Sequence, residues 1–340
     1  MPFLASTTRA LRAALVPALA LLLALGGCSS STAPGAAPSG SASASGWSYT
    51  DDLGHSFTLD HVPNRIVGFT DQALSLMSYG VQPVGVFGRM DVASDPRFSG
   101  YDMSNVAILG NTYGEIDLEA LAALQPDLIV TAQYPSDREG TIDPKEPFYG
   151  LKDLEQQKKL EAIAPILTIK VGGAGLDVIE SNTKLALSLG ADPSKVDADK
   201  QAYETSAAHL TTVAKEKNLL VSAMYADADG VYLVKTADEP ETQLYASLGV
   251  NYLDPNPDGD YYWDIYSWEN AGKVKNVDVI LISSEGFQKA DLLKQATFAD
   301  SPALVADQIY ERSQSILSYG QQAKNIDILA GQLEKSNKVT

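Results

Sequence analysis

The chain has 340 residues, with 43 acidic against 25 basic side chains for a formal net charge of −18, one cysteine and three histidines. That length suits two domains of ordinary size, each burying its own core. The acidity excludes the electrostatic footprint of a nucleic-acid binder, and a single thiol excludes both a disulfide framework and cysteine-pair redox chemistry.

Residues 1–27 place Arg9 and Arg12 ahead of an apolar run over 13–25, too short to span a bilayer but of signal-peptide length. The run ends in Leu25-Gly26-Gly27-Cys28, which resembles the bacterial lipobox, so Cys28 is expected to be lipidated and to become the mature N-terminus. The rest of 28–46 is an uncharged Ser/Ala/Gly/Pro tether whose random-coil reach is about 20–25 Å. An anionic membrane repels an acidic body, so attachment is expected from the lipid.

An N-terminal lobe is predicted over 47–175. It opens with a hairpin over 47–59 and continues as strand 65–69, helix 71–79 closed by Gly80, and strands 83–87 and 106–109. A helix from Asp117 to Leu124, strand 128–131, a helix over 151–163 and strand 166–169 complete an alternation typical of parallel α/β sheets. The long loops 88–105 and 133–150 carry Arg89, Arg97, Tyr134 and Arg138. In open α/β sheets, loops beyond the strand ends are where ligands bind.

Residues 176–217 read as helical, broken only at Gly190 and Pro193, with 194–217 as a stiff connector between lobes. A C-terminal lobe over 218–340 is predicted to hold strands 219–225, 231–234, 250–253 and 277–283 and a last helix over 319–335. The expected fold class is therefore α/β, two Rossmann-like lobes joined by a single long α-helix. Such a connector limits closure, so the pocket should be partly preformed.

One short pattern occurs twice, about 150 positions apart, a period suited to two similar lobes. Asp117 precedes Glu119 by two residues, a short helix and strand 128–131; Ser267 precedes Glu269 by two residues, an expected helix and the apolar run 277–282. Asp and Ser cap helix starts, and a carboxylate in the first turn is favoured by the dipole. Either glutamate alone needs no further role, but recurrence on both lobes points to a shared one.

Catalytic patterns are missing. His55, His61 and His209 have no metal-binding spacing, Asp227–Gly230 fails the calcium-loop pattern at both ends, and Gly172-Gly173-Ala174-Gly175 is not a dinucleotide fingerprint. Neither a G-x-S-x-G elbow nor a P-loop is present. No enzyme is expected.

The segments LEALAALQPDLIV (118–130) and YSWENAGKVKNVDVILI (266–282), with SYTDDLGHSFTLDHVPNRIVGF (48–69) and QALSLMSYGVQPVGVFG (72–88), resemble the siderophore, haem and cobalamin class of solute-binding lipoproteins over nearly all of 47–335. The resemblance implies a monomeric class III receptor of an ABC importer that works with a membrane permease and its ATPase. It implies docking of Glu119 and Glu269 onto permease arginines. It also implies a ferric siderophore as cargo, with iron held by the siderophore and with no cofactor or protein metal ligand. Expected cleft residues are Arg89, Arg97, Tyr134, Tyr225, Tyr261, Tyr262 and Trp263, with Tyr266 a further aromatic; core packing is the alternative for about half of these aromatics. Where some hydroxamate binders carry an arginine, this chain has Asn111-Thr112-Tyr113, and Arg89 or Arg97 can stand in. Scattered arginines among many acids suit a neutral or cationic hydroxamate complex better than a multiply charged catecholate. Haem or a corrinoid, with Tyr134 as an axial ligand to haem, and a non-transporting envelope interaction protein stay open as alternatives.

Overall fold

In the computed structural model, which describes residues 46–312 and 316–340, the chain starts as an antiparallel hairpin of β1 (Trp47–Thr50) and β2 (Ser56–Leu59). The predicted leader, Cys28 and the tether up to residue 45 lie outside the described residues. Asp51, buried in the hairpin turn, accepts the Thr168 hydroxyl at 3.0 Å and so ties the hairpin to the first lobe.

That lobe comprises β3 (Ile66–Phe69), α1 (Thr70–Ser78), β4 (Gly85–Phe87), β5 (Ala107–Gly110), α2 (Leu118–Ala123), β6 (Leu128–Gln133), α3 (Leu154–Glu161) and β7 (Ile166–Lys170). The strands form one parallel sheet in the order β5-β4-β3-β6-β7. Every residue of β3, β4 and β6 is buried, as expected of strands covered on both faces. The order reverses direction at β3, which opens a crevice at the carboxyl ends of the strands.

Two helices follow, α4 (Gly175–Ser188) and the 25-residue α5 (Pro193–Lys217). Asp192 accepts the Ser194 N–H at 2.9 Å with Pro193 in the first turn, and Asn218 ends the helix in the left-handed region at φ 44°. The second lobe holds β8 (Leu220–Ala226), β9 (Gly230–Val234), α6 (Pro240–Ser247), β10 (Asn251–Tyr252), β11 (Trp263–Ser267), β12 (Val279–Ser283), α7 (Lys289–Leu292), α8 (Pro302–Val305), β13 (Ile309–Arg312) and α9 (Tyr319–Lys335). Its sheet runs β11-β9-β8-β12-β13, with β10 beside the start of β8; only the β8–β9 and β9–β11 pairs are antiparallel.

One apolar core passes from Leu128, Val130 and Leu167 of the first sheet through Val178, Leu210 and Ile326 on the helices to Val221 and Leu281 of the second sheet. Because this core is continuous, the lobes share buried surface in addition to the α5 connection. At Gly175 α4 lies tight against the start of α6: a Cβ there would lie 2.2 Å from the Pro240 carbonyl oxygen. Only glycine permits that contact.

Several sequence expectations need correction. Ser267 does not cap a helix; it ends β11, paired with Gly230, and is followed by a turn and a single 3-10 turn at Ala271–Lys273. Pairing with β9 prevails over the local capping pattern because it satisfies the backbone of five residues. The strands β11 and β13 and helices α6, α7 and α8 are additional to the predicted elements. The helix expected over 151–163 spans only Leu154–Glu161, and the strand expected over 250–253 shrinks to Asn251–Tyr252.

Candidate functional site

At the carboxyl ends of both sheets the lobes enclose a cleft of about 590 Å³, within the range of about 300–1,000 Å³ usual for small-molecule pockets. Arg89, Arg97, Tyr134, Tyr225, Tyr261, Tyr262 and Trp263, the seven residues singled out from sequence, all line it. Four of the positions follow from strand ends. Arg89 follows β4, Tyr134 follows β6, Tyr225 is near the end of β8, and Trp263 starts β11.

Aromatic faces line both lobes. On the first, Tyr149 has its ring centroid 4.7 Å from that of Tyr134, 5.3 Å from Tyr113 and 5.2 Å from Phe69. On the second, Tyr225, Tyr232, Trp263, Tyr262 and Tyr261 form a chain with successive centroids 5.3–6.3 Å apart. Tyr262 has φ 71°, a left-handed conformation rare for a bulky residue and often found at functional sites. Tyr266 lies outside the cleft: it packs against the second-lobe core, and its hydroxyl donates to Asp264 at 2.6 Å.

Burial raises the phenol pKa of Tyr134, Tyr149, Tyr225, Tyr261 and Tyr262 above the usual range, and nearby carboxylates push in the same direction, Asp71 on Tyr134 and Glu239 on Tyr262. These hydroxyls therefore stay protonated at neutral pH and can donate hydrogen bonds.

Every arginine in the cleft is matched by a carboxylate. Arg97, set in a 3-10 turn, donates to Asp95 at 2.7–3.0 Å and to Asp71 at 2.6 Å. Its side chain is only 7% exposed, which makes it a strut more than a free donor. Arg89 donates to Asp71 at 3.1 Å and, across the cleft, to Glu285 at 2.9 Å. Arg312 meets Glu239 at 2.7 Å, and the buried Glu241 lies behind at 3.7 Å. Burial, with the charge of Glu239 adding to it, pushes Glu241 up to about 7. On the cleft wall the buried Gln72 Oε1 has no hydrogen-bond partner among the described residues.

Beside the cleft, Arg138 grips Asp238 of the other lobe and donates to the Gly259 and Asp260 carbonyls. Asn111 orients the 88–105 loop by accepting the Val92 N–H at 2.9 Å.

Sequence reasoning missed Asp71, Tyr149, Glu239, Glu285 and Arg312. Asp71 lies in the first turn of a predicted helix and Glu285 just past a predicted strand, whereas Arg312 ends β13, a strand the sequence did not reveal. That placement was the available signal for Asp71 and Glu285. Tyr149 had its own in Gly150, whose φ of 88° and tight fit against Phe69 fix the turn beneath it.

Glu119 and Glu269 are both exposed and stand apart from the cleft residues. Glu119 sits in the first turn of α2, where Asp117 accepts the Ala120 N–H at 2.9 Å. Asp117 donates its own N–H to Leu109 at the end of β5. Glu269 lies in the turn after β11, next to Trp268, whose indole N–H donates to the Asp227 carbonyl just past β8. Each glutamate thus occupies the carboxyl edge of its sheet.

Comparison with known proteins agrees with this architecture. A family model described as periplasmic binding protein matches residues 91–315. DesE of Streptomyces coelicolor, a ferric-siderophore receptor protein, is 33% identical, with 86% of this chain and 100% of that one covered and a TM-score of 0.75. The siderophore periplasmic binding protein from the fuscachelin gene cluster of Thermobifida fusca is 22% identical over 80% of this chain and 96% of its own, at TM-score 0.61. The triscatecholate siderophore binding protein FeuA of Bacillus subtilis is 15% identical over 86% and 99%, at TM-score 0.62, a likeness of fold. Among curated proteins, none matches the chain. Two α/β lobes, one connecting helix and the matched family model lead to one conclusion: the chain belongs to the periplasmic binding protein family, as a class III member that binds substrate and does not turn it over.

Proposed function

We propose that the protein captures a ferric siderophore outside the cytoplasmic membrane, held there by a lipid on Cys28, and delivers it as a monomer to an ABC permease driven by its ATPase. The carrying observation is the cleft itself: aromatic faces on both lobes, neutral hydroxyl donors, and arginines already matched by carboxylates. Flat, bulky complexes suit such walls. Matched arginines offer little to a multiply anionic catecholate, so the cargo is a neutral or cationic complex of hydroxamate type. Iron belongs to the cargo and is held by the siderophore.

Raised phenol pKa values disfavour haem bound through a tyrosinate at Tyr134. Exposed carboxylates at the carboxyl edges of both sheets support Glu119 and Glu269 as paired grips for permease arginines.

Fluorescence titration with a panel of ferric complexes tests the reading. Sub-micromolar quenching by neutral or cationic hydroxamates is expected, and a flat response to every complex would remove siderophores as cargo.

A further inference from the structure

We infer that Glu285 sets the charge of the cargo this cleft accepts, by occupying the side of Arg89 that an anionic ligand would otherwise take. This rests on the siderophore reading and deepens it.

Among the cleft ion pairs of the described residues, Arg89–Glu285 is the one that crosses between lobes. Arg97 is paired with Asp95 and Asp71 within the first lobe, and Arg312 with Glu239 within the second. Glu285 is also the most accessible of these carboxylates, its side chain 31% exposed against 15% for Asp71, 5% for Glu239 and 0% for Asp95. A ligand can therefore compete for Arg89 more readily than for Arg97 or Arg312.

The backbone carrying Glu285 is well held. Gln288 donates to the Ser283 and Gly286 carbonyls at 2.9 and 3.0 Å, and a Cβ on Gly286 would lie 2.2 Å from the Ala226 carbonyl oxygen. Glu285 thus presents its carboxylate from a fixed turn at the carboxyl end of β12. Arg89 already has Asp71 on its Nη1 side at 3.1 Å. With Glu285 at Nη2 it carries two acids, so an incoming anion meets a neutralised cation and a repelling carboxylate together. Without the Glu285 charge, the repulsion is gone and an anionic ligand oxygen outcompetes a neutral acceptor at Nη2.

The test is Glu285→Gln, which keeps the side-chain shape and a carbonyl that accepts from Arg89. Affinities of wild type and variant are measured for ferrioxamine B (cationic), ferrichrome (neutral) and ferric enterobactin (trianionic). The affinity for the trianion relative to the cation should rise by about tenfold or more in the variant, and the rise should shrink in high salt. Glu285→Asp, which retains the charge, should keep the wild-type ratio. Equal changes for all three complexes would overturn the inference and make Glu285 a lobe-to-lobe strut. If the wild type binds no ferric complex at all, the siderophore reading fails first, an outcome visible without the variant.

Discussion

Arg138 of the first lobe holds Asp238 of the second through two contacts of 2.8 Å, Nε to Oδ1 and Nη2 to Oδ2. The same carboxylate accepts the Tyr262 N–H at 3.0 Å, so one buried acid joins the lobes and fixes the left-handed turn that carries the aromatic wall. Asp238→Asn keeps the shape and removes the charge. It should weaken ferric-complex binding by about tenfold and speed hydrogen exchange over 259–263. Unchanged exchange there would separate the clamp from the wall.

The three tryptophans occupy different environments. Trp47 is buried in the shared core, Trp268 packs against the second-lobe core, and Trp263 lines the cleft. Quenching on ligand binding should therefore fall by more than half in Trp263→Phe and persist in Trp268→Phe. Equal loss in both variants would place the cargo elsewhere.

Stability should carry the titration of Glu241. Burial and the Glu239 charge raise its pKa from 4.5 to about 7, against the opposing pull of Arg312, Gln322 and Tyr245. The folded protein therefore holds a proton that the unfolded chain releases above about 4.5. This contribution is complete below that pH and is lost as pH rises towards 7. Glu241→Gln should flatten that decline and unfold at higher urea than wild type at pH 8. Parallel curves from pH 5 to 8 for the two proteins would refute the assignment.

How far the fold was legible in the sequence follows from how local each signal is. Apolar runs of strand length gave away β6 and β12, and the last helix was expected over the bounds that α9 has. The seven cleft residues were legible because they sit on loops at strand ends or in one aromatic cluster. Strand β11 was not. Its five residues leave Ile265 outward and exposed, and it exists through pairing with β9 about 30 positions earlier, while Ser267 and Glu269 mimic a helix cap locally. Glu285 and Arg312 were missed for the same reason, since their meaning lies in partners distant in sequence, Arg89 and Glu239.

Close packing of α4 on α6 should tolerate no side chain at Gly175. Gly175→Ala pushes a Cβ into the Pro240 carbonyl, and the Gly175 N–H also donates to Gln243 Oε1 at 3.2 Å. Overpacking of this kind costs about 1–3 kcal/mol. Urea unfolding should show that loss, while Gly331→Ala, which meets open space, should stay near wild type.

Charge reversal of the edge glutamates separates delivery from capture. Glu119→Arg with Glu269→Arg should abolish siderophore-dependent iron uptake in cells and leave ligand affinity within about twofold of wild type, because neither residue lines the cleft. Uptake at the wild-type rate would remove both residues from permease docking.

Isothermal titration of the purified protein with an iron-loaded tris-hydroxamate and with a tris-catecholate tests cargo capture most directly. One-to-one, sub-micromolar binding of the hydroxamate complex, with much weaker binding of the catecholate, is the expected result. Tighter binding of the trianionic complex, or no heat from either, would contradict a cleft built from aromatic walls and neutralised arginines.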